Sequence, residues 1–186
     1  FMSVTLDEIK QVYQEADCLF SEAEVEAAIG RLAAAVTERL AEANPLVFCV
    51  MNGGLIVTGK LLPQLGFPLE IEYLHATRYG HHIFGKSLDW RVRPSVDLRG
   101  RTVLIVDDIL DEGATLDAIA EWCRQEGAAK VFTAVLVDKE HDRKARPGLK
   151  ADFTGLVSPD RFLFGYGMDY KGYWRNAPGI YAVKGY

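Results

Sequence analysis

The spacing of hydrophobic positions changes near residue 45, and that change predicts the architecture. After Ser21, the residues Val25, Ala28, Ile29, Leu32, Val36 and Leu40 recur at intervals that place one apolar stripe along a helix. Thr5 with Glu8, and Ser21 with Glu24, have the capping-box spacing, in which side chain and backbone satisfy each other at a helix start. Asn44-Pro45 closes this helical part, which reads as scaffold and covering material. Beyond it the texture is different. LVFCV (46–50), RTVLIV (101–106) and KVFTAVLVDK (130–139) are short and largely apolar, and LEIEYLHA (69–76) alternates at its start. Apolar runs of that length are expected of strands covered on both faces in a parallel sheet. LIVTGKLLPQLG (55–66) and residues 116–126 are the expected intervening helices. Strand, loop and helix repeat, so the chain is expected to be one α/β domain with a mostly parallel twisted sheet flanked by helices, and a small appendage of terminal segments. TRYGHHIFGKSLD (77–89) follows neither period and reads as a long loop of the kind that serves as a lid.

Composition adds exclusions. The 186 residues suit one domain with an ample core. A hydrophobic fraction of 49% with 25% charged residues is ordinary for a soluble globular protein. The net charge of -5 argues against nucleic acid as a partner, since phosphate backbones require a basic face. No apolar run approaches the roughly 18–20 residues of a membrane span, and no secretory leader is visible, so no membrane partner and a cytoplasmic location are expected. Phe1 precedes Met2, the expected initiator, and is set aside. Cys18, Cys49 and Cys123 are too few and scattered for a disulfide framework, and each is expected to be a buried free thiol. His75, His81, His82 and His141 share no ligand spacing, and no metal is assigned to them. The basic, proline-broken run KEHDRKARPGLK (139–150) reads as a solvated loop.

Chemistry gathers at the strand ends. In open parallel sheets ligands bind beyond the carboxyl ends of the strands. LVFCV ends in Asn52-Gly53-Gly54, where glycines would let backbone amides approach an anion, or simply make a tight turn. RTVLIV ends in Asp107 and Asp108, followed by Asp111, Glu112, Gly113, Ala114 and Thr115 at a helix start. Amides there could cradle a phosphate, with the Thr115 hydroxyl beside them. Two adjacent carboxylates repel unless hydroxyls or a divalent cation lie between them, and a helix cap explains one acidic residue rather than three. An apolar strand ending in Asp-Asp also occurs in response-regulator receiver domains. There the pair lies near the chain start, whereas about a hundred residues precede it here.

VLIVDDILDEGATL resembles the phosphoribosyl-pyrophosphate signature of type I phosphoribosyltransferases: four apolar residues, two acidic, two apolar, Asp, any, Gly, any, Thr. VFCVMNGG (47–54) resembles the pyrophosphate loop of the 6-oxopurine branch. LVDK (136–139) resembles its purine-contacting lysine strand, and PDRFLFGYGMDYKGYWR (159–175) resembles the base-covering tail of hypoxanthine-guanine phosphoribosyltransferases. The resemblance implies a single domain over residues 2–186, with a core of about 45–157 and a hood of about 2–43 and 158–186. It implies conversion of hypoxanthine or guanine and phosphoribosyl pyrophosphate to IMP or GMP and pyrophosphate, with Mg²⁺ as cofactor and a homodimer or homotetramer as the assembly. Alternatives are a xanthine-preferring enzyme or a non-catalytic nucleotide-sensing regulator on the same fold.

By resemblance, Asp107 and Asp108 hold the ribose hydroxyls, directly or through Mg²⁺, and Glu112, Gly113, Ala114 and Thr115 grip the 5′-phosphate through their amides. Asp111 is the general base, Lys139 donates to the purine O6, Phe162 stacks on the base, and the Leu163 backbone reads its edge. Asp169 is a further Mg²⁺ ligand, Arg175 and the Asn52-Gly53 backbone contact pyrophosphate, and Arg78-Tyr79 belong to the lid. The family often has lysine where this chain has Asn52, with Arg78 as a replacement cation, and threonine where it has Glu112, whose side chain must then point outward. The Met51–Asn52 peptide bond is expected to be cis.

Overall fold

Both N-terminal helices start where their caps predict. The computed structural model describes residues 3–78 and 88–186. Helix α1 (Leu6–Glu15) begins at Thr5, whose hydroxyl accepts from the Glu8 amide at 3.2 Å. The reciprocal bond is absent, because the Glu8 carboxylate accepts instead from Tyr170 Oη at 3.0 Å and Lys171 Nζ at 2.8 Å. A cap is thereby exchanged for a tie to the C-terminal segment. Helix α2 (Glu22–Leu40) has the complete Ser21/Glu24 box, a feature worth about 1 kcal/mol. Between the two lies β1 (Asp17–Phe20), too short to leave a period in the sequence. It pairs antiparallel with β9 (Ile180–Ala182), which pairs with β8 (Leu163–Phe164), so both ends of the chain build one three-stranded sheet.

The larger sheet contains β2 (Leu46–Val50), β3 (Glu70–Arg78), β4 (Leu88–Val92), β5 (Thr102–Leu110), β6 (Lys130–Lys139) and β7 (Phe153–Ser158), in the order β4-β3-β2-β5-β6-β7. Every neighbouring pair is parallel except β3–β4 at the edge. The run RTVLIV understates β5. Its ladder with β6 continues to Leu110 opposite Asp138, so backbone pairing carries the strand past the point where its side chains turn polar. Likewise β3 and β4 pair out to Arg78 opposite Leu88, which makes strand of both ends of the expected 77–89 loop. Residues 79–87, and with them Tyr79, lie outside the described residues.

Alternation along the strands divides the core between two faces. Leu46, Phe48, Val50, Val103 and Ile105 face helix α4 (Ala114–Gln125), in a cluster with Leu116, Ile119 and Cys123. Val47, Leu104 and Val106 face α2 and the short α3 (Leu55–Leu61). Helix α3 ends early because Pro63 lacks the N–H that would continue it, and a single 3₁₀ turn follows (Leu62–Gln64). Helix α2 is therefore not hood material. Its stripe from Val25 to Leu40 is buried against the main sheet, each large side chain contributing roughly 1.5–3 kcal/mol. No helix among the described residues is long and apolar enough to cross a membrane.

From β2 the chain moves outward to β3 and β4, then returns to place β5 on the other side of β2. The connections leave in opposite directions, which opens a crevice at the carboxyl ends of β2 and β5. The loops that begin at Met51 and Asp111 flank it.

One cysteine departs from expectation. Cys18 is exposed, because the first half of β1 faces outward, whereas Cys49 and Cys123 are buried. Burial pushes the Cys123 thiol up to about 12 and raises Cys49 as well. Thiolate is the reactive form, so one equivalent of iodoacetamide at pH 8 should alkylate Cys18 in the native protein, with Cys49 and Cys123 reacting only on unfolding. Peptide mass mapping checks the order.

Candidate active site

Helix α4 opens without a side-chain cap, on Gly113 at φ +81°. A side chain is excluded there twice, by that left-handed backbone and by Leu110 Cδ1 and Leu149 Cδ2, each 2.6 Å from where a Cβ would stand. The helix begins at Ala114, two residues before the expected 116. The first-turn amides of Ala114, Thr115 and Leu116 have no acceptor within the helix, and they form the positive end of its dipole. These residues line a cavity of about 310 Å³ together with Asp107, Ile109, Asp111, Glu112 and Gly113. The Glu112 side chain is exposed, and its carbonyl accepts from Ala145 N at 2.8 Å.

Asp107 and Asp108 lie within β5, and their surroundings differ. Asp107 lines the cavity, and its Oδ1 accepts from the Asp108 amide at 2.8 Å. Asp108 is 7% exposed and packs under Gly53, where any Cβ would collide with its carboxylate. Gly167, at φ +107°, presses in turn against the Gly53 carbonyl. Burial pushes both carboxyls above the usual aspartate range, and for Asp107 the neighbouring Asp108 charge adds to it, while Arg175 acts against the rise at both. Arg175 donates to the Gly167 carbonyl at 2.6 Å and lies 3.4 Å from Asp169 Oδ1, and Asp169 Oδ2 accepts from Gly172 N at 2.7 Å.

The loop after β2 carries a cis Met51–Asn52 peptide bond. Asn52 is exposed, and its carbonyl accepts from Leu55 N at 3.1 Å. The Gly54 amide is spent within the turn, donating to Val50 O at 2.8 Å. Arg78 lines a second cavity of about 190 Å³ with Ala114, Ala118 and Arg146 on the α4 side.

On the far side of the cavity Asp111 meets the end of β6. Lys139 Nζ, on a side chain 11% exposed, donates to Asp111 Oδ2 at 2.9 Å, and His141 Nε2 lies 2.7 Å from Oδ1. Partial burial raises the Asp111 carboxyl, but bonds from Lys139 and His141 outweigh it and hold the group below the usual aspartate range. It is a carboxylate at neutral pH. Phe162 is 47% exposed, with its ring edge-on to Tyr170 at 5.9 Å, while Leu163 beside it is buried in β8. A large aromatic left half in solvent keeps a ring face open for stacking, as a core residue does not.

Two residues went unread in the sequence. His141 is one. Lys144 is the other, its ammonium meeting Leu110 O at 3.1 Å, Asp111 O at 2.8 Å, Lys139 O at 2.7 Å and Asp138 Oδ1 at 2.9 Å. With Arg143 paired to Asp160 and Arg146 to Asp117, the run 139–150 is a largely exposed loop, as expected, that also reaches inward through Lys139, His141 and Lys144 and so covers the ends of β5 and β6. Nothing in a string of charges distinguishes lysines that reach inward. Lys144→Met should destabilise the protein by about 3 kcal/mol, since it leaves Asp138 and several carbonyls without their cation. Urea denaturation followed by circular dichroism measures it.

Comparison with known proteins agrees with this geometry. A sequence profile of the phosphoribosyl transferase domain matches residues 16–171. The hypoxanthine-guanine phosphoribosyltransferase of Bacillus subtilis (strain 168) is 33% identical over 168 residues, which is 89% of this chain and 92% of that relative. The hypoxanthine-guanine-xanthine phosphoribosyltransferase of Tritrichomonas foetus is 30% identical over 166 residues, 89% of this chain and 90% of the relative. A solved hypoxanthine-guanine-xanthine phosphoribosyltransferase structure superposes with a TM-score of 0.82 at 29% identity, covering 92% of this chain and 99% of that one. A chain matched along nearly its whole length, with the uncapped α4 start facing an Asp–Lys pair, places this protein: it belongs to the hypoxanthine-guanine phosphoribosyltransferase family.

Proposed function

We propose that the protein is a purine-salvage phosphoribosyltransferase that joins hypoxanthine or guanine to phosphoribosyl pyrophosphate, giving IMP or GMP and pyrophosphate. The observation that carries this reading is the Asp111–Lys139 pair, 2.9 Å apart across the cavity from the α4 amides. On a 6-oxopurine the O6 acceptor and the N7–H donor are neighbours on one edge. A lysine donor beside an aspartate acceptor is their complement. Adenine presents an amino donor where O6 stands, and donor facing donor leaves both groups unpaired. Sites built on such a bond discriminate by about 10⁴–10⁵.

Each other residue has a role in the same reading. The 5′-phosphate sits on the amides of Gly113, Ala114 and Thr115, and the ribose hydroxyls bond Asp107 and Asp108. The diphosphate lies along the Asn52-Gly53 backbone towards Arg175. Phe162 stacks on the base, with the backbone of Leu163 at its edge. As the purine N9 bonds to C1′ and the C1′–O bond to pyrophosphate breaks, Asp111 takes the N7 proton. Lys139 turns from Asp111 to O6.

The residues also fit Mg²⁺. Asp107, Asp108 and Asp169 supply hard oxygen donors, yet among the described residues no three such groups converge into a closed cage. Sharing an ion with substrate oxygens is how Mg²⁺ is usually held. When bound, it neutralises charge on the leaving pyrophosphate. The carboxyls of Asp107 and Asp108, raised by burial and, at Asp107, by the neighbouring Asp108 charge as well, are what a cation would return to full ionisation.

Incubation with phosphoribosyl pyrophosphate, Mg²⁺ and one base at a time should yield nucleotide from hypoxanthine and guanine, with adenine slower by about 10⁴-fold. Asp111→Ala should lower kcat by about 10²–10⁴-fold while phosphoribosyl pyrophosphate still binds. Chromatography of the products reads the first, and initial rates with a binding titration read the second. No nucleotide from any base would sink the enzymatic reading in favour of a nucleotide-sensing regulator, and wild-type turnover by Asp111→Ala would remove its role as base.

A further inference from the structure

His141 is buried to 2% side-chain exposure at the mouth of β5, and both its ring nitrogens are engaged. The Arg143 amide donates to Nδ1 at 2.9 Å. An N–H donor there makes Nδ1 the acceptor, so the ring's own proton is on Nε2 and points at Asp111 Oδ1, 2.7 Å away. A neutral ring suffices. With Nδ1 held by a backbone amide, the imidazole is a fixed donor and not a relay for Asp111's proton.

Asp111 thus accepts two bonds, from Lys139 on Oδ2 and from His141 on Oδ1. In the reaction proposed above, Lys139 leaves for the purine O6 when the base arrives. The carboxylate then loses one of its two donors at the moment its direction matters. The other charged groups nearby are committed elsewhere. Lys144 bonds the Asp111 carbonyl and the Asp138 carboxylate, and Arg143 is bidentate to Asp160 at 2.8 and 2.9 Å. That last pair also anchors the turn that holds the ring, because the amide on Nδ1 is Arg143's own.

We propose that His141 is a positioning residue that keeps the Asp111 carboxylate aimed at the purine N7 once Lys139 has turned to O6. The inference rests on Asp111 being the base, and the test separates the two. With saturating hypoxanthine, His141→Ala should lower kcat about tenfold, the value of one hydrogen bond to a charged group, and leave KM for phosphoribosyl pyrophosphate within about twofold. His141→Gln, whose amide can still donate towards Asp111, should recover most of that rate. In an Asp111→Ala background, His141→Ala should cost nothing more, because a residue acting through Asp111 has nothing left to act on. Wild-type kcat in His141→Ala alongside a slow Asp111→Ala would overturn the inference alone, as would equal, additive losses in both backgrounds. Should His141→Ala fail to fold, imidazole ¹⁵N spectra of the unaltered protein decide: a neutral Nε2–H tautomer supports the arrangement, and an Nδ1–H tautomer overturns it.

Discussion

The parallel ladder between β5 and β6 is the constraint on which the site depends. It stays in register to Leu110 opposite Asp138, so the next residue on one strand, Asp111, meets Lys139 on the other. Lys139, with its side chain 11% exposed, would be unfavourable to keep charged without Asp111, because an unpaired buried ion is costly. The pair is stable because the backbone delivers both groups together, and a one-residue slip would turn each to the opposite face. The same strand presents Asp107 to the cavity four residues earlier, so β5 alone connects the ribose and base regions of the proposed site.

Around that ladder the chain uses close approach in place of large side chains. Gly53 sits on the Asp108 carboxylate, and Gly167 on the Gly53 carbonyl, so the loop after β2, the end of β5 and the C-terminal turn stack closely. The Gly165–Met168 turn joins the core through Tyr166 and Met168. Tyr166 Oη also donates to Glu26 on α2 at 2.8 Å. Burying two adjacent carboxylates at this junction is unfavourable by itself. Packing of the hood against the main core is what holds them there.

The run 139–150 shows how charge can be structural. Lys144 closes the ends of β5 and β6 from above, His141 and Lys139 grip Asp111, and Arg143 and Arg146 reach to Asp160 and Asp117. Surface ion pairs are individually weak. Those inside the crevice are not at the surface, and what they contribute is direction, holding a carboxylate where its lone pairs can be used.

The amino-acid sequence by itself determined the elements whose local physics is strong. These were the all-buried β2, the ten-residue β6, the capped α2, and the glycine at the start of α4, together with the order of acidic residues that marks the family. It also carried the α/β class, because the alternation of apolar runs and helical stripes can be read without knowing what packs where. Only the tertiary structure decided the rest. β1, β8 and β9 are too short to show a period and exist because they pair across the length of the chain. β5 outlasts its apolar run because its partner does. α2 belongs to the core because a stripe does not say which surface will cover it. His141 and Lys144 look in sequence like the solvated charges around them. Their roles come from acceptors that lie up to 34 residues away along the chain and within 3.1 Å in space.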